Sequence, residues 1–435
     1  MSEQSVQWAL FPEDGESAVS RKNSTANKLH FHDKQFHDWY RFVLSFPPHL
    51  VRTYINQFDL RPGQTILDPF CGTGTTLIES KIHGINSIGI EANPMAHFAS
   101  MVKIDWRING NDFINHASQL ADHAAKTIKK ESMGALRNLS AEAASLLLSD
   151  SISPLPLHKS LILLETIHYC KDERYHQHEL LALAKALVFS ISNLHFGPEV
   201  GVCRLKKQDA PVIELWMKEI ISMAGDLCAI PRHQTTAEVH HADSRQLSTV
   251  LKPKSIDAVF TSPPYPNEKD YTRTTRLESV ILGFINNKND LRDIKNWLLR
   301  SNTRNVYKGD VDDQWVANHQ EIQSIADVIE KRRIELKKTS GFEKLYGRVT
   351  QLYFGGMARH LAELRPFLKP GAYLGYVVGD QASYLQVMIK TGEILADIAQ
   401  SLGYRLVRID LFRTRLATAT KKQLREEVVV LQWIG

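Results

Sequence analysis

The stretch TILDPFCGTGTTLIESKIHGINSIGIEAN, Thr65 to Asn93, decides the fold. TILDPF reads as a short buried strand, and CGTGTTLIESKIHG as a Gly-rich turn and a helix ended by Gly84. INSIGIEAN is a second strand with Glu91 at its end. Strand, glycine turn, helix and strand in this order predict a parallel pair joined by a crossover helix. Gly72 and Gly74 let the backbone pass close to a ligand. Glu91, about twenty residues on, is placed as the acid that binds a ribose diol in doubly wound sheets. A phosphate loop is excluded, because G-x-x-x-x-G-K-S/T is absent and the turn holds no lysine. The alternative is a tight turn that only packs a helix on a strand.

Working outward, SFPPHLVRTYINQF (Ser45–Phe58) repeats apolar residues at helical spacing, with Pro47 and Pro48 where a helix start tolerates them. PMAHFASMVKI starts another helix at Pro94. Residues 106–230 read as helices with no competing strand. TAEVHHADSRQL returns to strand, and SIDAVFTSPPY is the next. Residues 266–344 are again helical and polar. VTQLYFGGMARHLAELRPFL is a helix, AYLGYVVGD a strand and TGEILADIAQSLGY a helix. RLVRIDLFRTR and REEVVVLQWI are joined by about ten residues, too few for a crossover helix, so they pair as an antiparallel hairpin. The expected fold is α/β: a Rossmann-like, mostly parallel sheet with a C-terminal antiparallel hairpin and two large helical insertions. The expected divisions are an extension (1–44), core segments (45–105, 231–265 and 345–435) and insertions (106–230 and 266–344).

The bulk numbers agree with a globular protein of 435 residues, 43% hydrophobic and 23% charged, too long for one simple core. No apolar run approaches the ~18 residues of a membrane span. The polar, acidic amino terminus does not read as a signal peptide, and about thirty residues there are expected to be loosely ordered. Cys71, Cys170, Cys203 and Cys228 stand far apart with no C-x-x-C pair, which argues against a zinc site or disulfide framework and suits a reducing cytosol. His30, His32 and His37 fit no standard metal spacing, so no metal is expected. The charge of +5 permits an anionic partner without requiring one.

The second informative stretch is DAVFTSPPYPNEKDY, Asp257 to Tyr271. Two prolines end a strand, because each lacks a ladder donor and fixes φ. The chain must turn at the carboxyl end of the strand, where open α/β sheets bind ligands. An exocyclic amine on a flat base is a poor nucleophile, since its lone pair is delocalised into the ring. Acceptors for both N–H bonds favour tetrahedral geometry and orient the amine for attack. The Ser262 hydroxyl and the Pro263 carbonyl are such acceptors, and Tyr265 offers a face for stacking a base. The alternative is a plain strand-ending turn.

Together these motifs resemble those of amino-group DNA methyltransferases that use S-adenosylmethionine. DPFCGTGTT resembles their cofactor loop and TSPPY their catalytic motif. The resemblance implies a catalytic set of Ser262, Pro263, Pro264 and Tyr265. It implies a cofactor set of Asp68, Pro69, Phe70, Gly72, Gly74, Thr75, Glu91 and Thr261. SFPPHLVRTYI resembles the segment that holds the cofactor's methionine end, which adds Phe46 and Pro47. Asp243, in ADSRQL, matches the residue near the cofactor's adenine amine. The serine that opens SPPY is similar to that of N(4)-cytosine enzymes, whereas adenine enzymes usually carry Asp or Asn there. Many cytosine enzymes place the catalytic motif first, and this chain reverses that order. Only a short gap separates Asp243 from Thr261, and no recognition segment follows the last strand, so recognition is expected from one of the insertions. Asp68 is placed to contact the methionine amino group, with a turn cap as its alternative. Cys71 is expected to be a small filler.

Double-stranded DNA is the expected partner, its target base flipped out of the stack, and a cognate restriction nuclease follows from the resemblance alone. Lys269, Arg273 and Arg276, just past the catalytic motif, are candidates for gripping the strand. Arg413, Arg415, Lys421 and Lys422 are candidates on the hairpin, where the alternative is a solvated tip. EKRRIELKK alternates charge as a solvated helix face does. The expected setting is cytoplasmic, at the nucleoid when bound to DNA. Rivals are adenine methylation in DNA, base methylation in RNA, and a non-catalytic binder on this fold; the last predicts decayed motifs, and both motifs are intact.

Overall fold

The computed structural model describes residues 29–41, 45–131, 134–196, 200–229, 235–267, 269–416 and 423–435. Lys421 and Lys422 lie outside these residues. Strands β1 (Thr65–Asp68), β2 (Asn86–Glu91), β5 (Ala237–His241), β6 (Ile256–Thr261), β7 (Leu368–Gly379), β8 (Tyr404–Leu416) and β9 (Gln423–Trp433) form one seven-stranded sheet in the order β5-β2-β1-β6-β7-β9-β8. The pairs from β5 to β7 are parallel, and β9 is antiparallel to both β7 and β8. The expected parallel sheet with a closing hairpin is therefore observed, with β9 inserted between β7 and β8.

Alternation along the strands feeds two faces. Ile66, Ala258 and Phe260 pack with Leu50, Val51, Tyr54 and Ile55 of helix α1 (Pro48–Gln57). Leu67 and Val259 point the other way, into a core built with helix α10 (Tyr346–Leu364) and helix α11 (Thr391–Ser401). Helix α2 (Thr75–Ile82) starts on Gly74, whose φ of +84° favours glycine. Helix α3 (Pro94–Lys103) combines proline in its first turn with an Asn93 cap, whose Oδ1 accepts from the amides of Met95 and Ala96 at 3.0 and 3.3 Å.

Between α3 and β5 run α4 (Gly110–Glu131), α5 (Pro154–Tyr169), α6 (His176–Ala186) and α7 (Val212–Cys228), packed with α2 and α3 in one apolar core. One expectation fails here. A short antiparallel ribbon, β3 (Leu194–Phe196) with β4 (Val200–Val202), interrupts the helices. Three-residue strands are too short to show a period of two, and a π-helical turn over Leu187–Ile191 disguises where α6 ends. Between β6 and α10 lie α8 (Lys288–Trp297), α9 (Gln320–Glu335) and several single turns.

Candidate active site

From β1 the sheet grows one way through β2 and β5, and the other way through β6 and β7. The β1 and β6 loops therefore leave the sheet at the point where strand order reverses, which opens a crevice between them. The glycine loop and SPPY stand at that crevice because they are these two loops. A cavity of about 480 Å³ fills it.

The loops are tied from below. The Thr261 hydroxyl donates to Asp68 Oδ1 at 2.5 Å, and the Thr76 hydroxyl donates to the Phe260 carbonyl at 3.3 Å. Gly72 has φ +52°, and its amide donates to Glu91 Oε2 at 2.9 Å; Glu91 Oε1 accepts from the Asn93 amide at 2.7 Å. Burial raises the Asp68 carboxyl to about 6 and the Glu91 carboxyl to about 7, against the hydrogen bonds that each accepts. Asp68 Oδ2 and Thr73 Oγ1 are buried without partners. An orphaned acceptor of this kind costs about 1–3 kcal/mol unless a ligand satisfies it.

Pro69, Phe70, Gly72, Thr75 and Glu91 line the cavity, as do Phe46 and the whole Ser262–Tyr265 run. Gly74, Asp68 and Thr261 sit behind this lining, and Pro47 caps α1. Asp243 is placed differently from the expectation. Its carboxylate is taken by Arg245, with contacts of 2.9 Å at Nε and 2.7 Å at an NH2 nitrogen, and Arg245 also reaches Asp312 at 2.6 Å. The neighbours Ala242 and Ser244 line the cavity instead. Phe70 meets the His360 ring edge-on at 5.0 Å. Burial lowers His360 to about 4, so the ring is neutral; Nδ1 donates to the Ser244 carbonyl and Nε2 accepts from the Tyr376 hydroxyl, both at 2.8 Å.

At the other loop, the Ser262 hydroxyl donates to the Val377 carbonyl at 3.1 Å. Its hydrogen is committed to the sheet, so its oxygen is left as an acceptor. Gly379 lies against Tyr265: a Cβ there would stand 3.0 Å from the ring's Cε2 and 3.1 Å from the Glu426 side chain. Burial raises the Tyr265 phenol far above its ordinary value, so the ring stays neutral.

The basic candidates divide. Lys269, Arg413 and Arg415 line the cavity. Arg413 holds Glu426 through two contacts of 2.6 and 2.9 Å, and Arg415 donates to the Asp380 carbonyl at 3.1 Å. Arg273 is on the turn Tyr271–Thr274 and outside the lining. Arg276 points into the protein, contrary to the expectation of a strand contact. It donates to Thr272 at 3.1 and 2.9 Å and to the Leu146 carbonyl at 3.5 Å, an internal tie between the two helical segments.

Two features were not anticipated. Lys103 is buried and donates to the carbonyls of Thr73 and Tyr40 at 2.7 and 3.0 Å, pinning the glycine loop to the amino-terminal segment; a lysine inside the apolar face of PMAHFASMVKI was the available signal. Trp297, Leu298, Leu299, Ser301 and Asn305 also line the cavity. No motif marks them. Trp297 lies beside His241, at the end of β5, with ring centroids 5.0 Å apart.

Residues 12–101 match a family model described as DNA methylase, of the N6 and N4 type. The chain is 25% identical to the type II methyltransferase M.BsoBI of Geobacillus stearothermophilus over 443 residues, 90% of this chain and 82% of that one. It is 25% identical to the type II methyltransferase M.AvaI of a Nostoc strain over 452 residues, 95% of this chain and 89% of that one. This chain is an amino-group DNA methyltransferase. A shorter likeness, 32% over 91 residues, or 21% of this chain and 24% of the other, links it to a tRNA (guanine(10)-N2)-dimethyltransferase of Methanothermobacter thermautotrophicus. The methyltransferase uses S-adenosylmethionine, and the cavity fits that cofactor: a positive-φ glycine loop, a half-buried acid at the end of β2, and the orphaned oxygens of Thr73 at the lining and Asp68 just behind it. Among the described residues no helix is long and apolar enough to cross a membrane.

Proposed function

We propose that this methyltransferase modifies the N4 amine of a cytosine flipped out of duplex DNA, within a specific sequence. The observation that carries the reading is the Ser262 hydroxyl. Its proton goes to the Val377 carbonyl, and Ser262 and Pro263 both line the cavity, so the hydroxyl oxygen and the Pro263 carbonyl are assigned as the two acceptors. Two acceptors at one point suit an amine with two N–H bonds. S-adenosylmethionine supplies a methyl group on a sulfonium, electrophilic and with a neutral thioether as leaving group. The protein's task is alignment more than basicity. Ser262 and Pro263 orient the amine, Tyr265 stacks the base, and the proton that the amine sheds passes to water. Glu91 takes the ribose diol, and Asp68 Oδ2 takes the methionine ammonium. Pro69, Phe70, Gly72, Gly74, Thr75, Phe46 and Pro47 shape the cofactor's side, and Thr261 holds Asp68 in place.

A role in marking host DNA beside a cognate nuclease is supported by the type II naming of the full-length relatives. Target recognition is assigned to residues 266–344, because part of that segment lines the cavity. Lys269, Arg413 and Arg415 are the basic groups placed to meet the strand near the flipped base.

The test uses duplex DNA of mixed sequence and methyl-labelled cofactor. After digestion, label on 4-methylcytosine supports the proposal. Label on methyladenine replaces the target base and keeps the site. Label on RNA alone removes the DNA substrate.

A further inference from the structure

At the rim of the sheet a row of paired residues leads from Tyr265 to Arg413. Gly379 of β7 is in register with Glu426 of β9, and Glu426 with Arg413 of β8. Gly379 has no side chain, and the Tyr265 ring and the Glu426 side chain both come up against it. Burial and the Glu426 charge raise the Tyr265 phenol, and the Arg413 charge opposes them, as expected of close neighbours. Arg413 and Tyr265 line the same cavity. The Arg413 side chain is 21% exposed and fixed by a fork: Nε and Nη2 donate to the two Glu426 oxygens at 2.6 and 2.9 Å. A guanidinium carries five N–H donors and no acceptor. Two are taken by Glu426, and among the described residues the other three meet no protein acceptor. They include the two parallel N–H bonds of the Nη1–Nη2 edge. Glu426 also offsets the charge, so a cation is tolerated in a cavity that takes a sulfonium.

A clamped edge made only of donors calls for a ligand edge made only of acceptors. In a flipped cytosine the amine gives both its N–H bonds to Ser262 and Pro263. The rest of its polar edge is the ring nitrogen N3 and the carbonyl O2, adjacent and both acceptors. Adenine offers N1 beside a C–H, one acceptor where cytosine has two. We infer that the free edge of Arg413 donates to N3 and O2 of the target cytosine and so selects cytosine over adenine. The inference rests on the reading that the methylated amine is that of a cytosine in this cavity. Within the basic set Lys269, Arg413 and Arg415, it gives Arg413 to the base itself and leaves the other two to the strand. Methyl transfer remains with the SPPY acceptors, and Arg413 is a specificity-determining residue.

The test uses the duplex that mixed-sequence labelling identifies as substrate, and the same duplex with a target analogue that keeps the amine and the ring nitrogen but lacks the ring carbonyl. Wild type should lose at least about tenfold in single-turnover transfer on the analogue. This measurement needs no variant. R413K keeps the charge and loses the fork, so its transfer to cytosine should fall at least about tenfold, with little further loss on the analogue. Its cofactor Kd, and its Kd for a duplex abasic at the target position, should stay within about threefold of wild type, which a contact to phosphate would not allow. Wild-type transfer to the analogue within twofold of that to cytosine overturns the role. So does R413K transfer within twofold of wild type, or a loss matched by weaker binding of cofactor or abasic duplex. If wild type labels no cytosine in DNA, the functional reading itself has failed. If it labels cytosine and any of these overturning results appears, only the role of Arg413 has failed.

Discussion

Residues 106–230 and residues 266–344 are both helical segments inserted between sheet strands, yet they stand in different relations to the cavity. Among the described residues, none lining it comes from the first segment, whereas Lys269, Tyr271, Trp297, Leu298, Leu299, Ser301 and Asn305 come from the second. The first segment buries an apolar core around Trp216, Phe113 and Leu181 and packs against α2 and α3. It meets the second behind the site, where Ala143 and Leu146 pack on Val280 and Ile285, and where Arg276 reaches the Leu146 carbonyl. One segment is a buttress and the other is a wall. Similar composition gave no way to tell them apart, because the difference lies in which side chains face the crevice.

The largest expected effect belongs to the sheet side. Ser262→Ala should cut transfer by about 100-fold or more, by analogy with the loss of one preorganised polar contact in a transition state. Tyr265→Ala should fall as far, since it also removes the ring on which the base stacks. Calorimetry should show cofactor Kd changed by less than about threefold in both, as neither side chain is assigned to the cofactor. Normal turnover in both variants would remove the site from SPPY. Gly72→Val should do the opposite: a β-branched residue strains at φ +52°, so cofactor binding should weaken first. An unchanged cofactor affinity would break the assignment of the loop.

Next in size is the wall. Trp297 lines the cavity on the cofactor side, and a stacked aromatic is worth about 1–3 kcal/mol per base. Trp297→Ala should therefore raise cofactor Kd roughly tenfold, while a matched change in the first segment should not. If Trp297→Ala binds cofactor normally, the second segment is less of a wall than its position suggests.

The two sides also differ in how well the sequence exposed them. The sheet side was readable because its chemistry is local: strand, turn and helix lie within thirty residues, and two prolines can end a strand in few ways. The wall was not, because its logic is burial by pairing. RSNTRN, Arg300 to Asn305, looks solvated until Asp310, the Lys295 carbonyl and Tyr384 are placed around it. Asp243 shows the same limit from the other direction. The motif supplied the residue, but the Arg245 that takes up its carboxylate is itself fixed by Asp312, 67 residues further along the chain.

A smaller effect separates the carboxyls under the cavity from the rest. Asp68 and Glu91 are raised to about 6 and about 7 by burial, above the values of an unfolded chain. The fold thus binds more protons than the unfolded state between about pH 4 and pH 7, so their contribution to stability is full below pH 4 and is lost as pH rises through 6–7. A cationic cofactor favours the ionised forms, so its affinity should rise over the same range. The cofactor-induced increase in Tm should be larger at pH 8 than at pH 5.5, and Glu91→Gln should flatten that difference. A pH-independent increase would show that neither carboxyl ionises in answer to the cofactor.

The smallest effect on transfer is expected in the buttress. Trp216 is buried in the first segment, and its indole N–H donates to the Glu179 carbonyl at 3.0 Å. Trp216→Phe removes that donor and leaves a void, which should cost about 1–3 kcal/mol of stability. Since no residue of 106–230 lines the cavity among those described, single-turnover transfer at a temperature where the variant is folded should stay within twofold of wild type. The same should hold for cofactor Kd, while Tm falls. A loss of transfer larger than the loss of folded protein would mean that the first segment positions the second through the Leu146 contact. A buttress that tunes its wall would then replace one that merely holds it up.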